Sequence, residues 1–434
     1  MTRKMKDSGI EWIGEIPEDW EVKRIQWGLT EIIKKNDPIK AENILSLTKD
    51  KGVIPYEDKG NLGNKSKTNL ADYKLAYRNS IVMNSMNVII GSVGLSDYFG
   101  CVSPVYYVFK AEKNNDIRFF NYIFQMPVFQ SILKKYANGI LEIRLRVSSN
   151  DVLKRNIPFP NYKEQIKISN YLDKKTKQIE DIKNKISEEI ENLENYKKSV
   201  ITEAVTKGLD KNVEMKDSGI EWIGEIPKHW EIIRLKYGLT EKMKYGASEE
   251  GVEFSETLPR YIRITDIDQN GNLKSTGKQS LPENKSVGYI LEDNTVLFAR
   301  SGATVGKTFL YKKEYGRSAY AGYLIAAKTN NIILLGIWLY YFTFSDAYYN
   351  WTRQMFSQST IQNINAEKYS NMPLPITGIS NQLKIIDYLN KKTKLIDDSI
   401  AIKRKQLETL EEYKKSLIYE YVTGKKEVND GEES

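Results

Sequence analysis

The residues of this chain best suited to chemistry lie in a glycine turn, RSGATVGKT, from Arg300 to Thr308. Glycine followed by Gly-Lys-Thr is the vocabulary of phosphate binding: backbone N–H groups at a helix N-terminus cradle the anion while the lysine reaches it. That chemistry needs about four residues between the first glycine and the Gly-Lys pair, and a helix after the threonine. Here only Ala303, Thr304 and Val305 intervene, and the following TFLYKKEYGRSAYAGYLI has the β-branched and aromatic content of strands. A glycine-bearing turn between two strands is therefore expected. An NTPase using Gly306, Lys307 and Thr308 is the alternative that the spacing argues against.

Other catalytic sets are missing. The single cysteine, Cys101, could act as a nucleophile only with the single histidine, His229, as base. The first copy of the segment carrying His229 has Asp19 at that position, which leaves a surface residue as the simpler reading. A lone cysteine cannot form an internal disulfide, and no His, Cys and carboxylate cluster has metal-ligand spacing. No nucleophile elbow, kinase set or dinucleotide turn occurs. The sequence thus predicts no catalytic residue and no metal site.

What remains are basic, amide-rich clusters. The first is Lys65 and Lys67 in a Gly/Asn/Ser loop, Asn84 and Asn87 in MNSMN, and Arg144, Arg146 and Ser148 in EIRLRVSSN. The second is Arg300, Ser301, Thr304 and Lys307 in the glycine turn, then Arg353, Gln354, Gln358 and Thr360 in TRQMFSQSTIQNIN. Arginine and lysine can read guanine, asparagine and glutamine can read adenine, and Ser, Thr and Lys anchor phosphate. The net charge of +8, from 65 Lys+Arg against 57 Asp+Glu, favours a polyanionic partner. Taken singly each residue is an ordinary solvated side chain; the signal is their clustering at matching places in two copies.

The elements that must position them are also doubled. MKDSGIEWIGEIPEDWEVKRIQWGLTE (Met5 to Glu31) returns as MKDSGIEWIGEIPKHWEIIRLKYGLTE (Met215 to Glu241), and a helical phrase beginning QIKISNYLDKKTK at Gln165 returns as QLKIIDYLNKKTK at Gln382. Copies this similar share one structural job. Between cap and helix lie two inserts, roughly 32–160 and 242–375, that resemble each other far less. Each reads as strands followed by helices, and each ends in a proline-bounded phrase, IPFP or MPLP. Leu172, Ile179, Ile186, Leu193 and Val200 recur every seven residues with Ile182 and Tyr196 beside them, a coiled-coil seam. The second helix keeps Leu389, Ile396, Leu410, Tyr413 and Leu417, interrupted by Lys403 and Gln406, with Ile400, Ile402 and Leu407 nearby. Neither helix can bury its stripe alone, so each is expected to pack antiparallel on the other, with an insert at either end of a rod on the order of 65 Å. The expected divisions are 1–162, 163–208, 209–377, 378–425 and an acidic tail, 426–434. No run of residues is apolar enough for a membrane helix and no secretory signal precedes the first cap, which places the chain in the cytoplasm.

These doubled caps, the paired YLDKKTKQIEDI and YLNKKTKLIDDS helices, the RSGATVGK phrase and the P-x-P before each helix resemble, over nearly the whole chain, the specificity subunit of type I restriction-modification systems. The resemblance implies an α+β fold of two pseudo-symmetric target recognition domains separated by two long antiparallel coiled-coil helices. It implies that the two domains read the halves of a bipartite site in double-stranded DNA. The helices would set the spacer and dock two methyltransferase subunits, through which motor-nuclease subunits join. S-adenosylmethionine, ATP and Mg would then belong to those partners and no cofactor to this chain. The rival from another class is a coiled-coil scaffold whose inserts bind proteins, or DNA without sequence preference.

Overall fold

The computed structural model describes residues 3–48, 51–60, 69–86, 91–137, 146–268, 271–357 and 363–429, apart from the side chains of Ala303 and Ser357. Each repeat opens with a small hairpin, Met5–Asp7 against Glu15–Pro17 and Met215–Asp217 against Glu225–Pro227. The next strand of each cap, Glu21–Arg24 or Glu231–Arg234, pairs antiparallel with the proline-bounded strand that ends its insert, Asn156–Phe159 or Pro373–Ile376. Such two-stranded pairings tolerate proline because each strand keeps a free edge. Every insert is thereby closed at its base by its own cap.

The inserts are α+β and share a central antiparallel sheet. In the first the strand order is Leu29–Glu31, Tyr106–Ala111, Ser80–Asn84, Val93–Ser96. In the second it is Lys244–Tyr245, Leu324–Ala327, Val296–Ala299, Thr308–Leu310. Helices Ile117–Gln125 and Pro127–Lys134, or Gly336–Phe342 and Asp346–Ser357, follow the strands, as the sequence order predicted. The second insert adds a further four-stranded sheet, whose strands Arg260–Ile262 and Ser318–Tyr320 run parallel. In the first insert, two-stranded sheets occur instead, Leu45–Thr48 with Gly52–Pro55 and Lys74–Ala76 with Gly100–Val102. Cys101, on the last of these strands, has no exposed surface, and burial pushes its thiol above the ordinary value. A thiol reagent at pH 8 is expected to modify the native protein only as fast as this insert opens; labelling as rapid as in denaturant would show that Cys101 is not enclosed.

The long helices span Tyr162–Lys207 and Ile379–Val422. The chain forms two compact units, one of Met1–Ile186 with Lys405–Ser434 and one of Ser187–Arg404, so each unit holds part of both helices. Within the first unit Lys183 meets Glu411 at 2.9 Å and the Tyr171 and Tyr421 hydroxyls lie 3.1 Å apart. Within the second, Lys197 meets Asp397 at 2.7 Å and Lys403 bonds Glu189. Low numbers face high numbers throughout, which is antiparallel packing. Leu172, Ile179, Val200, Leu389, Ile396 and Leu417 are buried, and Ile186, Leu193 and Leu410 are half-buried. Ile182, Tyr196 and Tyr413 are instead 46%, 48% and 53% exposed. A two-helix contact covers only a narrow stripe, and residues three places from that stripe turn outward. Lys403, where the apolar repeat breaks, fills its place with the ion pair to Glu189, while Ile400 is buried beside it.

Two buried glutamines tie insert to helix. Gln165 accepts the Asp116 N–H at 2.9 Å and donates to the Pro160 carbonyl at 3.0 Å. Gln382 accepts the Leu335 N–H at 3.1 Å and donates to the Ile333 and Thr377 carbonyls, both at 2.7 Å. Each amide thus satisfies backbone groups just before an insert helix and just before its own long helix. Tyr122 and Tyr341 add a second tie through their hydroxyls, to Asp173 at 2.6 Å and Asn390 at 2.7 Å. Burial pushes both phenols up, so they remain donors.

Each cap also seats on the end of a long helix. Trp20 and Trp230 are 1% exposed, and each joins the core cluster of its unit. The second helix ends at Gly424, φ +72°, where a Cβ would come within 2.4 Å of the Pro17 Cδ atom. The first ends near Gly208, φ +77°, where a Cβ would lie 3.3 Å from the Trp230 ring. Left-handed backbone with no side chain is what both positions require. Among the described residues no helix is long and apolar enough to cross a membrane.

Candidate nucleic-acid interface

RSGATVGKT links antiparallel strands Val296–Ala299 and Thr308–Leu310 through a short 3-10 turn, as the spacing predicted. No helix follows Thr308, and its hydroxyl is held by that of Thr343 at 2.6 Å. The arrangement that a phosphate-binding loop needs is therefore absent here. His229 is exposed on the cap of the second unit, whereas Cys101 is buried in the first insert, closed to any substrate.

The corresponding turn of the first insert leaves Ser80–Asn84 and returns as Val93–Ser96. The described ends of the two turns match. The Ala299 N–H donates to the Lys307 carbonyl at 2.8 Å, and the Asn84 N–H to the Ser92 carbonyl at 3.0 Å. Gly306 and Gly91 sit at the same place with φ of +85° and +88°. One residue into each turn, a segment returning from the insert helices docks: Ile364 N–H donates to Arg300 at 2.9 Å, and Val147 N–H to Ser85 at 3.1 Å. Beyond the dock, Asn365 and Ser148 cap short helices by accepting from Lys368 N–H at 2.8 Å and Asp151 N–H at 3.0 Å. Arg300 thus corresponds to Ser85, and Asn363 to Arg146.

This geometry sorts the sequence-predicted residues. Arg300, Ser301, Thr304 and Lys307 share one turn, and it packs on the helix that carries Arg353 and Gln354: Tyr348 of that helix donates to the Gly306 carbonyl at 2.7 Å. Lys307 and Arg353 are exposed, while Arg300, Ser301, Thr304 and Gln354 are half-buried. The Arg300 guanidinium lies 5.0 Å from the Tyr245 ring centre, and Arg353 lies 5.8 Å from that of Tyr349, which is 51% exposed. Lys307 and Arg353 leave their positive charge accessible, and the exposed Tyr349 ring adds an amphipathic surface beside Arg353.

In the first insert Arg146 is exposed beside the buried residues Asn84 and Ser85. Asn84 is 7% exposed, and its side-chain oxygen is taken by the Met86 N–H at 3.0 Å. Ser148 likewise serves the helix it caps. Both residues shape the backbone on which Arg146 stands. Lys65, Lys67, Asn87, Arg144, Gln358 and Thr360 lie outside the described residues. Sequence reasoning did not single out Asn363, Tyr245 or Ser85; counting back from Gly306 and Gly91 would have aligned Arg300 with Ser85. Among the described residues no group of three or more His, Cys, Asp or Glu side chains could hold a metal ion.

A family model described as the type I restriction modification DNA specificity domain matches residues 17–192 and again 227–412. The chain is 24% identical over 437 residues to the type I restriction enzyme MjaVIII specificity subunit of Methanocaldococcus jannaschii, covering 94% of this chain and 93% of that protein. It is 23% identical over 441 residues to the putative type I restriction enzyme MjaX specificity subunit of the same organism, covering 95% of each. A solved structure concerned with complex assembly and conformational transition of the type I R-M system shares the fold, with a TM-score of 0.69, 14% identity, and coverage of 94% of this chain and 98% of that one. With both copies of its repeat matched, this chain belongs to the family of type I restriction-modification DNA specificity subunits.

Proposed function

We propose that this chain is the sequence-reading and assembly core of a type I restriction-modification complex. Each insert reads one half of a split site in duplex DNA, and the long helices set the unspecified spacer between the halves. The observation that supports this most strongly is the contrast between frame and insert. Caps, helix ends and glutamine ties are the same in both units, and so is the order of the central sheet. The side chains at the turn junction differ, Arg300 and Asn363 in one insert against Ser85 and Arg146 in the other. A frame repeated around different reading surfaces suits a protein that recognises two different half-sites.

The helices also suit the docking of two methyltransferase subunits, with motor-nuclease subunits joining through them. Tyr388, Leu395 and Ile402 recur at seven-residue spacing on the second helix and are 39%, 65% and 62% exposed. An apolar stripe on an otherwise charged helix is what a partner helix covers. On this reading the chain is not itself a catalyst, and S-adenosylmethionine, ATP and Mg act in the partners.

The test is duplex binding by the chain assembled with its methyltransferase subunits. Sequence reading predicts preference for one split site over scrambled DNA, together with a steep fall of affinity with salt. Equal affinity for all duplexes would contradict it. Four residues, about one helical turn, inserted near Ser187 test the ruler. A changed spacer or lost assembly with both half-sites unaltered is expected; altered half-site bases would refute the ruler.

A further inference from the structure

At the junction in the second insert, two polar atoms are buried without a hydrogen-bond partner among the described residues: Nε of Arg300 and Oδ1 of Asn363. They belong to one place in the fold. Ser301 and Asn363 form an antiparallel bridge, and the next residue, Ile364, donates its N–H to Arg300. Among the described residues the Arg300 guanidinium has no hydrogen bond or ion pair, only the face of Tyr245 at 5.0 Å. Arg260, whose Nε is likewise unpaired, differs because its Nη2 donates to the Lys274 carbonyl at 2.7 Å. Buried polar atoms normally find partners, so two orphans at one junction set it apart from the satisfied hydroxyls of Thr308 and Tyr369 nearby. The half-buried Arg300 guanidinium, held against a ring and engaged by no carboxylate or carbonyl among the described residues, keeps the planar fork that the O6 and N7 acceptors of guanine match.

The first insert builds the same backbone junction with its arginine on the other strand. Ser85, 4% exposed, stands in the place of Arg300, and exposed Arg146 in the place of Asn363. Resting on the reading proposed above, we infer that this junction is the specificity-determining position of each insert, with Arg300 and Asn363 reading the second half-site and Arg146 the first, each arginine contacting a guanine. Exchange of the arginine between strands makes the two half-sites differ at this position.

The experiment uses the complex assembled with its methyltransferase subunits and a panel of duplexes in which each base pair of the split site is replaced in turn. Arg300→Gln is expected to lose discrimination at one G·C pair of one half-site, on the order of 10- to 100-fold. Asn363→Ser should do so at that pair or its neighbour, and Arg146→Gln at one pair of the other half-site. Retained discrimination in the untouched half shows that the variant is folded. Arg300→Lys keeps the charge but loses the planar fork, so it should lose the same discrimination while keeping the salt slope. If Arg300→Lys restores full discrimination, or the glutamine variants weaken every duplex equally or leave the panel unchanged, the junction contacts phosphate or nothing and the inference falls. If the unaltered complex prefers no split site, the proposed function fails and takes this inference with it.

Discussion

A chain whose second insert is replaced by a copy of the first, joined at the paired strands of its base, is expected to direct its complex to a site with two halves of the first kind. The second half-site should disappear entirely. The expectation rests on geometry common to both units. Glu21–Arg24 pairs with Asn156–Phe159 as Glu231–Arg234 pairs with Pro373–Ile376, so the graft enters and leaves at equivalent points. Gln382 would receive the graft as Gln165 receives the original, because both bind backbone groups just before an insert helix. Backbone groups are present whatever the side chains, which is why one frame can hold unlike inserts. The direct readout is sequencing of modified DNA from cells expressing the grafted chain. Survival of the original second half-site would mean that specificity lies in the frame.

The largest stability effect is expected at the cap tryptophans. Trp20→Ala should cost about 3–5 kcal/mol, the usual range for removing a buried tryptophan. Trp20 packs in the core that joins the first cap to its insert and both long helices, and its ring lies beside Gly424. No single neighbour could collapse into a void bordered by so many elements. Cys101 reports on that same unit. Its modification by a thiol reagent should therefore accelerate on the order of 10²- to 10⁴-fold in Trp20→Ala where opening is fast and reversible. Trp230→Ala should destabilise the second unit by a similar amount and leave Cys101 slow. Equal acceleration by both variants would show that the two units open together.

Much of this was legible in the sequence, and the parts that were not have physical reasons. The doubled caps and heptads marked the frame because packed helix ends allow few residue choices: Trp20 with Gly424, and Trp230 with Gly208, recur as pairs. The RSGATVGKT turn was recognisable as a strand connection from the residues after it. Ile182, Tyr196 and Tyr413 looked like seam residues because periodicity counts apolar positions without knowing how many helices will cover them. The extra sheet of the second insert has strands of only two or three residues, too short for an alternating pattern to emerge. Asn84 and Ser148 have the side chains of DNA contacts but serve the backbone locally, a competition that composition cannot resolve. The correspondence of Asn363 with Arg146 depends on hydrogen bonds between segments distant in the chain, Ile364 to Arg300 and Val147 to Ser85.

The central claim is that this chain selects the DNA on which its complex acts. It is tested most directly by mapping methylated bases across the genome of cells carrying this gene with its methyltransferase gene, and of cells lacking only this gene. The account predicts one split motif with a fixed spacer, methylated in the first strain and bare in the second. Identical methylation in the two strains would contradict it.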